Sequence, residues 1–288
     1  MHIRLAGVLC LALLLGACDV KVGEHGLSVD MAHGKAGDEW KRTYSLPPGG
    51  RLEILNINGV IEAFPSSGTQ VEVVARREVR ASSDEAAQEL LAKAQMIEEV
   101  AADHVKIELK TDPDSGPGGL RSRNQVSIAY QVGLPPGLNV SLRTENGAVR
   151  LENVQGRFAV ASTNGPLVGK GISGSMDATT VNGGIQMELT AVTGDSKVVT
   201  VNGPVTLALA PDVNGELEAG AINGGVFVQD GFPLTASERT MRRVAGRINK
   251  GGPRIVVQTT NGGVRVGTPD GVARGFGRGR RGRDSSGG

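Results

Sequence analysis

Met176-Asp-Ala-Thr-Thr-Val-Asn182-Gly183-Gly-Ile-Gln-Met187 holds the pattern that decides the fold. Before the Asn, Met176 and Ala178 alternate with polar residues, and Thr180 continues the same parity. After the Gly the apolar positions slip by one, to Ile185 and Met187. Side chains of period 2 on both sides of an Asn-Gly describe two strands meeting at a glycine corner. The same setting recurs at Asn58-Gly59, Asn146-Gly147, Asn164-Gly165, Asn202-Gly203, Asn223-Gly224 and Asn261-Gly262. Two residues before the Asn stands a small or polar residue: Asn56, Thr144, Ser162, Thr180, Thr200, Ala221 or Thr259.

From Asn146 the corners lie 18, 18, 20, 21 and 38 residues apart. A near-constant period of this kind marks a repeat architecture, here with one insertion before the last unit. Two arrangements accommodate the parity slip. One is a run of hairpins with type I′ Asn-Gly turns. The other is an all-β, single-stranded β-solenoid in which each Asn-Gly turns a corner and the Asn side chains of successive coils stack. The solenoid is preferred, because Asn and the residue two before it fall in phase with the core, where an unpaired polar group costs roughly 1–3 kcal/mol and a ladder pairs each amide with the next.

Leu46-Pro-Pro-Gly49 returns as Leu134-Pro-Pro-Gly137, and the same offset carries Asn58 onto Asn146 without a gap. Residues 51–64 therefore read as the first coil, and 65–133 as an α+β excursion of order β-α-β-β. Within it, residues 70–80 alternate as a strand. Ser82-Ser-Asp-Glu85 resembles a capping box, and Ala87, Leu90, Leu91, Ala94, Ile97 and Val100 follow at helical spacing to about Ala102. Residues 105–110 and 125–132 read as two further strands. Asp112 and Asp114 between them read as turn residues, and His25 and His33 have no carboxylate at ligand spacing, so neither a metal site nor a cofactor is predicted.

Residues 230–254 hold Arg239, Arg242, Arg243, Arg247, Lys250 and Arg254 against Asp230 and Glu238. They read as a charged segment closing the array against edge pairing, with an anionic partner as the functional alternative. The last nineteen residues carry five Arg and two Asp among glycines, and 269–288 is read as a disordered tail. Such a tail would rest on anionic lipid or glycan; no nucleic-acid partner is expected.

At the other end, Leu5 to Leu15 is an apolar run too short to span a bilayer and of the length of a signal-peptide core. It leads into Leu15-Gly-Ala-Cys18, which resembles the bacterial lipobox; the resemblance implies that residues 1–17 are removed and that lipid is attached at Cys18. The only other cysteine, Cys10, lies in the removed segment, so no disulfide is expected. Residues 18–38 then read as a tether, and 39–268 as the solenoid. The predicted location is the cell envelope, anchored through Cys18.

The Leu-Pro-Pro-Gly lead, the serial Thr-x-Asn-Gly-Gly units at 180–184 and 259–263, and Gly251-Gly-Pro-Arg-Ile255 resemble the adhesin-like bacterial family called domain of unknown function 4097. The resemblance covers about 39–266 and implies a right-handed β-solenoid with no established activity. Pro166 and Pro204 depart from the pattern at the second place after Asn and put the hydrogen bonding beyond those corners in question.

Catalysis on such a scaffold needs clustered carboxylates on one face. By distance from the corner Asn, only Glu152, Lys170 and Glu188 form a local set, and their alternating sign predicts a surface ion-pair ladder instead. The function expected is therefore a non-catalytic structural or adhesin-like scaffold of the envelope, with a glycan-active enzyme (polysaccharide lyase or hydrolase) as the alternative.

Overall fold

The computed structural model describes residues 18–23, 26–31, 34–110 and 126–273. A ribbon of β1 (Cys18–Gly23) and β2 (Gly26–Met31) comes first. The strands β3 (Gly34–Tyr44), β4 (Arg51–Asn58), β5 (Ile61–Pro65) and β6 (Val71–Ala81) follow, then helix α1 (Asp84–Lys93). Next come β7 (Met96–Val100), β8 (His104–Leu109), β9 (Val126–Leu134), β10 (Leu138–Asn146), β11 (Val149–Glu152), β12 (Gln155–Asn164), β13 (Leu167–Asn182) and β14 (Ile185–Val192). The chain continues through β15 (Ser196–Asn202), β16 (Val205–Leu209), β17 (Gly215–Asn223), β18 (Val226–Val228), β19 (Leu234–Arg239), β20 (Arg243–Ile248), β21 (Arg254–Asn261) and β22 (Val264–Gly267) to a one-turn helix, α2 (Pro269–Ala273).

All strands from β3 onward belong to one curled, mixed sheet, so the architecture is all-β and solenoid-like. Strands entering a corner pair in parallel with strands entering the neighbouring corner, in the order β8, β4, β10, β12, the second half of β13, β15, β21, β17. Strands leaving the corners pair likewise, in the order β9, β5, β11, the first half of β13, β14, β16, β22, β18. The register keeps Asn over Asn, and the 88-residue duplication pairs β4 with β10 at Asn58 and Asn146. Because parity slips at each corner, the apolar side chains on both sides of it face one continuous core, with Leu52, Ile54, Leu142, Leu167, Ile185, Val205, Ile255 and Val264 fully buried.

Among the Asn-Gly coils, spatial order departs from chain order at one place. The last coil, residues 254–267, is not stacked beyond the Asn223 coil but inserted between it and the Asn202 coil, with β21 parallel to both β15 and β17. The expected insertion, 230–254, supplies β19 and β20, and β20 lies antiparallel on the outer edge of β17. A turn with Asn249 at φ 49° and Gly251 at φ 78° then brings the chain back. It is pinned by the Asn249 amide donating to the carbonyls of Pro211 and Val213 at 2.9 and 2.8 Å, and by the Arg254 N–H donating to Asp195 at 2.9 Å. The division follows side-chain chemistry. The apolar Ile255 and Val257 go inside, while the arginine-rich hairpin closes the exposed edge.

The other end also differs from the reading of a simple excursion. β8 and β9 supply a further layer without an Asn-Gly corner, on which the Asn58 coil rests. β6 caps β9 antiparallel and β3 caps β6. Helix α1 starts one residue later than the Ser82–Glu85 box predicts: Ser83 is the N-cap, its Oγ accepting from Ala86 N–H at 3.2 Å. It stops at Lys93, about nine residues earlier than its apolar spacing suggested. Ala94 leaves the helix at ψ 73° while its N–H still reaches Leu90 and Leu91, and residues 96–100 form β7, paired residue by residue with β8. Closing the open edge of β8 outweighs a weak helical period.

The predicted tether, 18–38, contains β1 and β2 and the first five residues of β3, which pairs with β6 over its whole length. The predicted tail begins with α2, and its remainder, 274–288, lies outside the described residues, as do the signal segment, His25, His33, Asp112 and Asp114.

Candidate binding surfaces

At each corner two sets of hydrogen bonds tie a coil to its neighbour. Asn146 donates through Nδ2 to Asn58 Oδ1 at 2.9 Å, Asn164 to Asn146 at 2.8 Å, Asn182 to Asn164 at 2.8 Å and Asn202 to Asn182 at 2.9 Å. Asn261 donates to Asn202 at 2.7 Å, and Asn223 to Asn261 at 2.8 Å. All six bonds run in one direction, so every interior amide both donates and accepts. Asn58 is half-buried and the other six are exposed, rather than buried as the sequence suggested, because the corner turns them outward.

The buried polar group is the residue two before the Asn. Thr144, Ser162, Thr180, Thr200 and Thr259 each donate a hydroxyl to the carbonyl of the neighbouring coil's corner glycine, Gly59, Gly147, Gly165, Gly183 and Gly203, at 2.8 to 3.2 Å. Ala221 occupies this place in the outermost coil and has no hydroxyl to offer Gly262. The corner glycines themselves are required by close approach: a Cβ on Gly183 would lie 2.2 Å from the Gly165 carbonyl oxygen. Pro166 and Pro204 cause no break, since the residue at that place contributes its carbonyl to the ladder, accepting from Val149 N–H at 3.2 Å and Ile185 N–H at 3.0 Å.

Glu152, Lys170 and Glu188 do not form the expected ion-pair ladder; no ion pair joins them. Glu152 and Lys170 are register partners, but the β13–β14 pairing slips between Gly169 and Ile172, where Gly171 takes φ 66°. Lys170 and Glu188 instead line a groove of about 620 Å³ between the outer face of the sheet and α2, with Met187, Arg265 and Val272. Among the described residues its lining holds one carboxylate and two cations, without the second acid of the usual glycosidase carboxyl pair.

The basic insertion is partly neutralised. Arg243 spans Glu218 and Glu238 at 3.1 and 3.0 Å, and Arg254 reaches the second oxygen of Glu218 at 2.5 Å. The Arg254 bond holds the Glu218 carboxyl below the usual carboxylate range. Among the described residues, Arg239, Arg242, Arg247 and Lys250 have no ion-pair partner. At the far end, Tyr44 donates to Glu98 at 2.6 Å, and burial together with that carboxylate drives its phenol strongly upward. His104 Nε2 is buried without a hydrogen bond, 3.9 Å from Glu53. Among the described residues no three His, Cys, Asp or Glu side chains gather as a metal site, and no helix is long and apolar enough to cross a membrane.

The profile of the Toastrack DUF4097 family matches residues 95–267, about three fifths of the chain. The chain belongs to that family. Solved structures similar to this Toastrack chain include a candidate cell adhesion protein of Clostridium sporogenes, at 11% identity and TM-score 0.48, over 81% of this chain and 100% of that one. Candidate adhesins of Parabacteroides merdae and Bacteroides fragilis align at 9% and 8% identity, over 80% of this chain and 96% and 97% of theirs, with TM-scores of 0.33 and 0.28. No curated relative matches in sequence.

The seven Asn of the sequence pattern lie in one register. Sequence reasoning missed the groove and the hydroxyl-to-glycine bonds. The groove depends on a register slip and on a helix of five residues, neither of which leaves a periodic signal. The hydroxyl bonds could have been suspected from the Thr and Ser recurring two places before Asn.

Proposed function

We propose that this protein is a lipid-anchored component of the bacterial cell envelope, acting as a non-catalytic scaffold or adhesin-like binding module. In this reading the coils form a right-handed solenoid, Cys18 carries the anchor and the arginine-rich tail rests on anionic lipid or glycan. The observation that carries the proposal is the run of six amide bonds from Asn58 to Asn223, which fixes seven corners in line. A stack so fixed is a stiff body with long faces, suited to contact over an extended surface. Among the described residues no three His, Cys, Asp or Glu side chains gather as a metal site, and the groove beside α2 brings one carboxylate, Glu188, beside Lys170 and Arg265.

Anchoring is tested by growing cells with labelled palmitate. Label is expected in the wild-type chain and absent from Cys18→Ala; equal labelling of both removes the anchor. The binding role is tested by cross-linking in intact cells. Recovery of one envelope protein or polymer supports it, whereas recovery of none, with an unaltered envelope in a deletion strain, contradicts it. Release of new reducing ends or unsaturated sugars from a panel of envelope polysaccharides would instead favour an enzyme.

A further inference from the structure

The outermost corner carries a surface unlike the others. Ile222, immediately before Asn223, is 62% exposed, Phe227 is 57% exposed and Met241 is 86% exposed. The corresponding places before other corners hold Glu145, Thr163 and Thr260, or the less exposed Ile57, Val181 and Val201. The three side chains belong to one patch because the turn between β19 and β20 lies across the corner. Arg242 accepts from Ala221 N–H and Met241 accepts from Val226 N–H, each through its carbonyl at 2.9 Å. The Phe227 ring and the Met241 carbonyl both lie within 4 Å of the place a Cβ on Gly225 would take.

The turn is held in shape. Thr240 Oγ1 accepts from Arg243 N–H at 2.9 Å and from Arg242 N–H at 3.3 Å, and Thr240 N–H donates to the Arg243 carbonyl at 2.7 Å. Met241 is therefore presented by a fixed tip. Around the apolar group stand Arg239 and Arg242, on the same hairpin, and Arg265, the register partner of Phe227. Among the described residues none of the three has an ion-pair partner. The nearby acids Glu218 and Glu238 are already held by Arg243 and Arg254.

We infer that this corner, Ile222, Phe227 and Met241 collared by Arg239, Arg242 and Arg265, is a docking surface for an anionic lipid bilayer. Exposed apolar side chains with arginines beside them match the layering of an interface in which hydrocarbon lies beneath anionic headgroups. Arginine suits the collar, because its stem covers apolar surface while its guanidinium takes phosphate bidentately. The inference rests on the envelope reading, but it concerns the folded body and is independent of acylation at Cys18. It gives the scaffold a second contact with the membrane, at the coil farthest along the ladder.

The test uses the full chain carrying Cys18→Ala, so that no acyl group is present, with vesicles of phosphatidylcholine alone or mixed with phosphatidylglycerol. Sedimentation with vesicles is compared for this chain, for Phe227→Ser with Met241→Ser, for Arg239→Gln with Arg242→Gln and Arg265→Gln, and for a chain with its tail arginines changed to Gln. The account expects stronger binding to the anionic vesicles, weakened by added salt. It expects a loss of at least tenfold in each patch variant at unchanged thermal midpoint, with roughly fivefold per arginine, and retained binding in the tail variant above either patch variant. Binding equal to the parent in both patch variants overturns the inference, whether the tail carries the binding or no binding occurs. So does a parent that self-associates through this corner and loses that association, rather than vesicle binding, on substitution. Loss of palmitate labelling at Cys18 would bear on the anchor alone and leave this result standing.

Discussion

Replacing Asn182 by Ala removes two ladder bonds, the one it donates to Asn164 at 2.8 Å and the one it accepts from Asn202 at 2.9 Å. Replacing Asn223, at the end of the ladder, removes only the bond it donates to Asn261 at 2.8 Å. Neither Asn has a positive φ, so the change acts through the side chain and not through backbone strain. The amides are exposed and the partners left behind can turn to water, which places each bond near the lower end of the usual range, about 0.5–1 kcal/mol. Asn182→Ala should therefore cost about 1–2 kcal/mol and Asn223→Ala about half as much. For a domain of this size that corresponds to about 2–8 °C and 1–4 °C in the calorimetric midpoint. Asn182→Asp separates the two bonds, because a carboxylate still accepts from Asn202 but cannot donate to Asn164; it should fall between. Equal losses at positions 182 and 223, or Asp as damaging as Ala, would refute the directional ladder.

Three further outcomes follow from the same corners. Thr180→Val keeps the buried shape but strands the Gly165 carbonyl, which accepts at 3.0 Å, and should cost about 1–3 kcal/mol in denaturant unfolding. Ala221→Thr should gain about 0.5–1.5 kcal/mol in the same measurement, by offering Gly262 the hydroxyl that every neighbouring coil already supplies. Glu218 is depressed by Arg254, so its contribution is present above the unfolded carboxylate value of 4.5 and lost as pH falls through the lower folded value. Thermal midpoints measured from pH 6 downward should thus fall more steeply below 4.5 in the parent than in Glu218→Gln.

Much of the architecture was legible because its cause is local and repeated. Parity around Asn-Gly announces two strands and a corner, and the return of Leu-Pro-Pro-Gly placed Asn58 beside Asn146, where β4 and β10 pair. What escaped is decided by alternatives that look alike in one dimension. Residues 254–267 read as one more unit after an insertion, and nothing in their alternation says on which side of the Asn223 coil they lie; the hairpin β19–β20, needing an outer edge for its arginines, displaces them inward. Ile97 and Val100 fit a helical stripe and an edge strand equally, and the open edge of β8 chose the strand. Parity places the amides with the core because it cannot distinguish the last inward position from the corner that follows it. The groove and the apolar tip at Met241 are products of a register slip and of a turn folded over a distant corner.

The order of coils is the part of the account most directly open to trial, by paired cysteines in a chain with Cys10 and Cys18 changed to Ala. Val199 and Gln258 are register partners on adjacent parallel strands, whereas Gly220 lies one strand beyond Gln258. Adjacent strands sit about 5 Å apart and next-nearest ones about 10 Å, on either side of the disulfide limit of about 7 Å. Val199→Cys with Gln258→Cys should cross-link rapidly under mild oxidation, and Val199→Cys with Gly220→Cys should not. A bond between 199 and 220, with none between 199 and 258, would mean that the coils stack in chain order and that the amide ladder is wrong at its fifth step, the bond from Asn261 to Asn202.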